Sequence, residues 1–549
     1  MRAFVLTGPG DGAVHDVPAP VAAPGEAVVD VVTVPFVCGF TGPWYLEGMV
    51  TGAGSALEVV VRDRVFGAGG YRYLPFEVPP GVGRITVGLE ADRPVLLGLG
   101  LFDARGSGHG SPGFRGISGT ERREVVVGLR EATPGFLPGP VPPGRWTVIV
   151  PVFLAAVPAR IRVRIRMERG RPDEPSGPGP SPGRLPGAVR TTPGWYRGDL
   201  HCHTEASSDA WATGAALTPA GWADLARGLG LDFLAMTDHN VVSQNHQLAR
   251  DAGEGVLLLA GEEVTSYFHG HATVSGVEPD DWFDFRLSPF GLPLPSRGAR
   301  IETLLDGVRA SGGFVAAAHP MMPFLSWQFL ADGLARPSAR PDALEVWNGR
   351  WQVHNELAVR VWHRLLCRGW RIAATGGSDL HGTLAPAGLG PGVPTTVVHA
   401  AALERGRLVE ALRAGRCFIT SRPDGPELYL TAAGPGGQQT FTGGTLHAHP
   451  GDVVQVRVLA RRAGGMRLTV LNRRGPCVSV GPASDEETVE VPLTVGTTDD
   501  FVRVELRRAA TSWLPGPPPM EALTNPIHLT LGGPVAATPP ELAPPAPAR

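Results

Sequence analysis

Between residues 195 and 420 a series of short apolar runs gives way, again and again, to histidine or an acidic side chain. The run 196–204 ends Asp199-Leu200-His201-Cys202-His203-Thr204, and the run 231–236 leads into Thr237-Asp238-His239-Asn240. Residues 256–260 lead into Gly261-Glu262-Glu263-Val264-Thr265, and a fourth segment holds His269-Gly270-His271. Residues 314–318 lead into His319-Pro320, 344–347 into Asn348-Gly349, and 372–375 into Gly376-Gly377-Ser378-Asp379-Leu380-His381. The runs are strand-sized and alternate with amphipathic helices, which predicts a parallel β/α arrangement. In a closed barrel of that kind the C-terminal ends of the strands converge on one mouth. Successive strand side chains point in opposite directions, so His201 and His203 share a face. A lone histidine pair is a weak signal, but independent histidines have no reason to recur at strand ends in register. Imidazole and carboxylate together suit zinc, manganese or iron, and a carboxylate can bridge two such ions.

Composition removes several other chemistries. The chain has no lysine, because all 49 basic residues are arginine. A Schiff-base lysine, a phosphate-loop lysine and a carbamylated bridging lysine are therefore impossible. The net charge of −3 comes without a basic tract, so no nucleic-acid partner is expected. No segment reaches the ~18 apolar residues of a membrane helix, so no membrane partner is expected. The opening residues lack a basic start followed by an apolar core, which predicts no signal peptide. Five cysteines with no CxxC pair form no disulfide framework, and the cytoplasm is the expected compartment. Composition leaves oligomerisation open.

The 74 glycines and 55 prolines approach a disordered composition, but strand-like apolar runs recur throughout and predict many loops instead. Residues 1–40 resemble the opening of medium-chain zinc alcohol dehydrogenases, with Cys38 in a loosely similar loop. No glycine-histidine-glutamate ligand motif follows, and no GxGxxG fingerprint is expected after a strand. The segment is expected to be a non-functional remnant or misplaced start, since one cysteine cannot make a site that needs three protein ligands. Residues 41–167 read as a β-sandwich-like domain, in which Ile161-Arg162-Val163-Arg164-Ile165-Arg166 alternates with period two. A Pro/Gly-rich linker at 168–194, a C-terminal β domain at 424–531 and a disordered tail at 532–549 complete the expected order.

The motifs DLHCHT, SSDA with Asp209, TDHN, GEEVT, GH, AHP and GSDLH, in this order and spacing, resemble the polymerase and histidinol phosphatase (PHP) superfamily. WNG at 347–349 and the β-rich flanks, including ATPGF at 132–136, are similar to its CehA/McbA-type metallohydrolases. The resemblance implies a distorted (β/α)7 barrel between two β-sandwich-like domains, holding two or three divalent ions (zinc, manganese or iron). It implies that His201, His203, Glu263 and Asp379 hold one ion, that Glu263 bridges to a second on His271 and His319, and that Asp209, His239 and His381 hold a third. Asp209 departs from the histidine that many members carry there. Glu263 is preferred to Glu262 because Gly261, Glu263 and Thr265 share a strand face, and His271 to His269 because the family ligand follows glycine.

The implied activity is hydrolysis of a small-molecule ester by metal-hydroxide attack, with Glu263 and His319 at the reacting centre and Asp238 as proton shuttle or turn cap. A phosphoester is the favoured substrate. A carboxylic or carbamic ester at the same site is the alternative, and a non-catalytic ligand-binding protein is the reading from another class. Arg197, Asn348 and Arg350 are candidates for substrate contact, beside the aromatic residues Trp347, Trp351, Phe324 and Trp327.

Overall fold

The computed structural model describes residues 2–8, 11–16, 45–47, 56–67, 70–108, 111–120, 122–170, 185, 187–207, 209–210, 215–248, 255–266, 269–285, 297–383, 390–481, 483–508 and 518–532. Within the dehydrogenase-like stretch, Arg2–Gly8 and Asp11–Asp16 form an antiparallel pair. Cys38, most of the linker and nearly all of the tail lie outside the described residues. The chain divides into two compact units, Met1–Ser181 with Asp280–Pro295, and Pro182–Pro279 with Ser296–Arg549.

The first unit is built on one 26-residue strand, Gly144–Arg169. Its first half pairs with Gly70–Val78, and its second half lies between Ala56–Gly67 and Val82–Ala91. Ile161, Val163, Ile165 and Met167 are buried, while Arg162, Arg164 and Arg166 are exposed, as period-two alternation requires of a strand with one wet face. Trp282 packs 4.9 Å from Phe102 and stacks on Phe114 in this unit.

The second unit carries the histidine-rich region. Its strands are β1 (Gly194–Cys202), β2 (Phe233–Met236), β3 (Leu257–Ser266), β4 (Gly270–Ser275), β5 (Phe314–Ala318), β6 (Ala343–Asn348), β7 (Ala373–Gly377), β8 (Thr395–Ala400) and β9 (Cys417–Thr420). They hydrogen-bond in the order β7-β6-β5-β4-β3-β2-β1-β8-β9. The segment after β7 rejoins β1: Leu380 bridges Cys202, and the Asp379 amide donates to the His201 carbonyl at 2.9 Å.

The uniform parallel β/α alternation expected above is corrected in part. Pairs β1–β2, β2–β3, β5–β6 and β6–β7 are parallel, but β4 runs antiparallel to both β3 and β5. Only three residues separate β3 from β4, too few for the crossover that parallel neighbours need. The molecule is mostly β-sheet, with five α-helices among the described residues: α1 (Pro219–Gly228), α2 (Arg297–Ala310), α3 (Leu330–Ala335), α4 (Val353–Cys367) and α5 (Arg405–Arg413). α1 shows the local logic. Thr218 caps it by accepting from the Gly221 amide, Pro219 occupies the first turn, and Trp222, Ala223 and Ala226 form the buried face. No described helix is long and apolar enough to cross a membrane.

The sheet continues from β9 into the C-terminal strands Met520–Thr524, Asp500–Arg507 and Arg467–Asn472. A four-stranded sheet that includes Glu427–Ala433 and Val453–Arg461 shares a core with them.

Candidate metal centre

The site forms where β1, β2, β3, β5 and β7 end and where β4 begins. Because β4 is antiparallel, its start lies at the end where its parallel neighbours finish, and this brings His271 to the group. Glu263 lies at the middle of it, fully buried. One carboxylate oxygen, Oε1, is 2.8 Å from His271 Nδ1 and 3.1 Å from His319 Nε2. The other, Oε2, is 3.3 Å from His201 Nε2, 3.4 Å from His203 Nε2 and 2.9 Å from His239 Nδ1. Asp379 Oδ1 is 3.3 Å from His201 Nε2 and 3.1 Å from His203 Nε2. Asp209 Oδ2 is 3.0 Å from His239 Nε2 and 2.9 Å from His381 Nε2.

Three groups of donor atoms lie within 4.8 Å of one another: His201, His203, Glu263 and Asp379; His203, Asp209, His239 and His381; and His239, Glu263 and His271. Eight of the nine side chains singled out in the sequence as metal ligands fall in these groups, and the ninth, His319, lies against Glu263. Their partition differs from the expected one. His203 and His239 each take part in two groups, and His319 reaches the set through Glu263 alone.

Electrostatics follow from burying acids among imidazoles. Burial opposes ionisation of Glu263, but His239, His201 and His271 hold its carboxyl well below the usual range. Asp379 is likewise held low against burial, chiefly by His201, and Asp209 by His239. His203 is pushed down to about 3 by burial and by its neighbours His381 and His239. The centre therefore offers ionised carboxylates and a neutral His203, forms that bind metal, while against burial the same carboxylates raise the pKa values of His201, His239, His319 and His381.

The residues fit divalent ions on an independent observation. His319 Nδ1 is a buried polar atom without a hydrogen bond among the described residues, and the buried His201 Nε2 and Glu263 Oε2 have ion-pair contacts of 3.3 and 2.9 Å but no hydrogen bond. Such atoms are costly to bury and are rare in folded proteins unless something else satisfies them. The backbone adds a second sign: His319, Asp379 and Asn240 adopt positive φ angles of 26°, 54° and 54°. Each costs on the order of 1–3 kcal/mol and persists only where the surroundings enforce it, most often at functional sites.

Glu345 was not singled out from the sequence. Its Oε1 lies 2.9 Å from His201 Nδ1, and its Oε2 accepts from the His319 amide at 2.8 Å and from Asn348 Nδ2 at 3.0 Å. The available signal was an acid at the centre of the apolar run Leu344-Glu345-Val346. Thr265 is a second omission as a positioning residue, 2.7 Å from His239 Nδ1. His269 pairs with Ser266 at 3.1 Å.

Arg197 lies four residues before His201 on β1, ~13 Å back along the strand. Its guanidinium pairs with Glu427 and donates to the Pro423 carbonyl at 3.1 Å, so it is not brought to the centre. Asp238 is fully buried and accepts from the Thr204 amide at 2.7 Å and hydroxyl at 2.9 Å, while burial pushes its pKa up to about 7. It thereby staples the ends of β1 and β2 together. Asn348 Nδ2 donates to Asp379 Oδ2 at 3.2 Å, so it orients a member of the donor set. Arg350 is exposed on the turn that follows. Trp327 is buried against Phe329 at 5.1 Å, and Phe324 is exposed.

No family model matches the chain, and no curated protein matches it. Among solved structures it is similar to a protein assigned as a metal-dependent phosphoesterase from Bifidobacterium adolescentis, with 21% identity and a TM-score of 0.26, over 35% of this chain and 90% of that one. It is also similar to Bacteroides uniformis beta-glucuronidase 2, with 8% identity and a TM-score of 0.15, over 87% of this chain and 60% of that one. At these scores neither similarity defines the fold. The clusters of histidine, aspartate and glutamate are compatible with a metal site.

Proposed function

We propose that this protein is a metal-dependent hydrolase of ester bonds, a member of the CehA/McbA-type branch of the PHP superfamily, and that its central region is a distorted (β/α)7 barrel. The observation that carries the reading is the convergence of six histidines and three carboxylates at one end of one sheet.

His201, His203, Glu263 and Asp379, together with Asp209, His239, His271, His319 and His381, would hold divalent ions, which would supply an acidified water and positive charge for the ester oxygen. The protein's own residues supply orientation. Glu345 on His201 Nδ1 leaves Nε2 facing the centre, and Thr265 and Asn348 fix His239 and Asp379. Glu263, in reach of five histidines, links the groups.

A phosphoester is the favoured substrate. Phosphate ester hydrolysis is common in the wider superfamily that the motifs resemble. A carboxylic or carbamic ester is the second reading, favoured by Trp347 near the end of β6 and Trp351 on the turn after it.

Chelation followed by manganese or zinc addition is expected to abolish and then restore hydrolysis of bis-p-nitrophenyl phosphate, p-nitrophenyl phosphate or 1-naphthyl methylcarbamate. Full activity in protein shown to be metal-free overturns the proposal. A carbamate kcat/KM a hundredfold above both phosphates, about 2.7 kcal/mol of transition-state preference, reverses the substrate ranking. Glu263→Gln is expected to retain less metal than Asp209→Asn, and equal metal content in both variants and wild type contradicts the ligand set.

A further inference from the structure

The end of β6 and the turn after it make two sets of contacts. Asn348 holds Asp379 of the donor set, while Trp347, Arg350 and Trp351 line a separate cavity of about 620 Å³. Arg422, Arg508 and Pro519, from segments beyond β9, contribute to the same cavity. None of the nine donor residues lines it, yet Arg350 is two residues from Asn348, a span of at most ~7 Å. The volume falls within the ~300–1,000 Å³ of small-molecule sites.

The turn is held rigidly. Asn355 Nδ2 donates to the carbonyls of Asn348 and Arg350 at 3.0 and 2.9 Å, and its Oδ1 accepts from the Asn348 amide at 3.1 Å. Trp347 Nε1 donates to the Gly349 carbonyl at 3.0 Å, and the Gly349 amide donates to Gly377 at 3.0 Å. On this fixed backbone the Arg350 guanidinium has no hydrogen bond or ion pair among the described residues. The other two arginines are engaged, Arg422 with Asp424 at 2.7 Å and Arg508 with Glu521. Trp347 and Trp351 meet edge to face at 4.9 Å and make a stiff apolar corner beside the unpaired cation.

We propose that this cavity is the subsite for the non-reacting part of the substrate, a flat apolar group, aromatic in the simplest case, that carries an anionic substituent. The aryl body packs in the tryptophan corner, and Arg350 pairs with the anion through its planar fork. The inference rests on the hydrolase reading above, because it takes the neighbouring centre to be where the ester is cleaved.

The test uses the full-length, metal-loaded protein and naphthalene-2-sulfonate, an anionic aryl probe with no ester to cleave, in titration calorimetry. Arg350→Ala is expected to weaken binding about tenfold, ~1.4 kcal/mol. Pro519→Trp, which fills the cavity from an exposed position, is expected to abolish it. In parallel, the ratio of kcat/KM for a 6-sulfonato-2-naphthyl ester to that of the matching 2-naphthyl ester is expected to fall about tenfold in Arg350→Ala. Unchanged binding in both variants overturns the subsite, whether or not esters are hydrolysed. Weakened binding in a protein that hydrolyses no ester supports the cavity as an anion-aryl site and sinks the hydrolase reading alone.

Discussion

His201 illustrates how individual residues set this centre. An imidazole offers one lone pair when neutral, and the proton on the opposite nitrogen decides which one. Glu345 takes Nδ1 at 2.9 Å and leaves Nε2 directed at Glu263 and Asp379. Such carboxylate–histidine pairs commonly change metal affinity by ~10–100-fold. Glu345→Gln is therefore expected to weaken zinc binding about tenfold, measured by competition with a chromophoric chelator, while circular dichroism stays unchanged. An affinity equal to wild type contradicts the positioning role. Gly377 is needed for the same contact: a Cβ there would sit 2.4 Å from His201 Cβ and 2.9 Å from Glu345 Oε1, so any side chain displaces the pair.

Among the elements, the reversal of β4 has the largest consequence, because it presents a histidine from a strand's beginning among residues from strand ends. A second element-level device joins β7 to β9. Asn525 accepts from the Ala374 amide at 2.7 Å, and its Nδ2 donates to the carbonyls of Ala374 at 2.9 Å and Cys417 at 3.1 Å. It closes backbone bonds that neighbouring strands would otherwise have made. Removing it strands buried donors and acceptors at ~1–3 kcal/mol each. Asn525→Ala is expected to cost on the order of 3 kcal/mol in urea unfolding. A loss below about 0.5 kcal/mol, the size of a neutral surface change, rules out this closing role.

At the scale of the second unit, the C-terminal strands are packed on the histidine-rich region through charged and titratable contacts. Arg507 pairs with Glu356 of α4 at 3.0 Å, and Arg503 lies over Trp362 and donates to His363 Nδ1 at 3.3 Å. An imidazole that accepts from a guanidinium is neutral, and burial together with Arg503 lowers the His363 pKa to about 4. His528 is lowered to about 4 by burial and Arg371. In the unfolded chain both titrate near 6.5. Between these values the unfolded state binds more protons, so stability is fully present above pH ~6.5 and declines as pH falls towards 4. The melting temperature of wild type is expected to drop between pH 7.5 and pH 5, and a His363→Gln/His528→Gln variant to drop less. Equal pH dependence in the two proteins refutes this assignment.

The donor set was legible in the sequence because metal-binding side chains have few alternatives at apolar strand ends, and because strand alternation separates Glu263 from Glu262. The period-two pattern at 161–166 was legible for the same local reason. Tertiary structure alone decided the rest. The direction of β4 depends on pairing with β3 and β5, which the pattern around His271 does not encode. Glu345 looked like an acid misplaced in an apolar strand until folding set it against His201. Arg197 looked available, but distance along β1 and its pairing with Glu427 assign it elsewhere. Local pattern names the groups that can bind or react, whereas burial and non-local pairing determine which of them share a space.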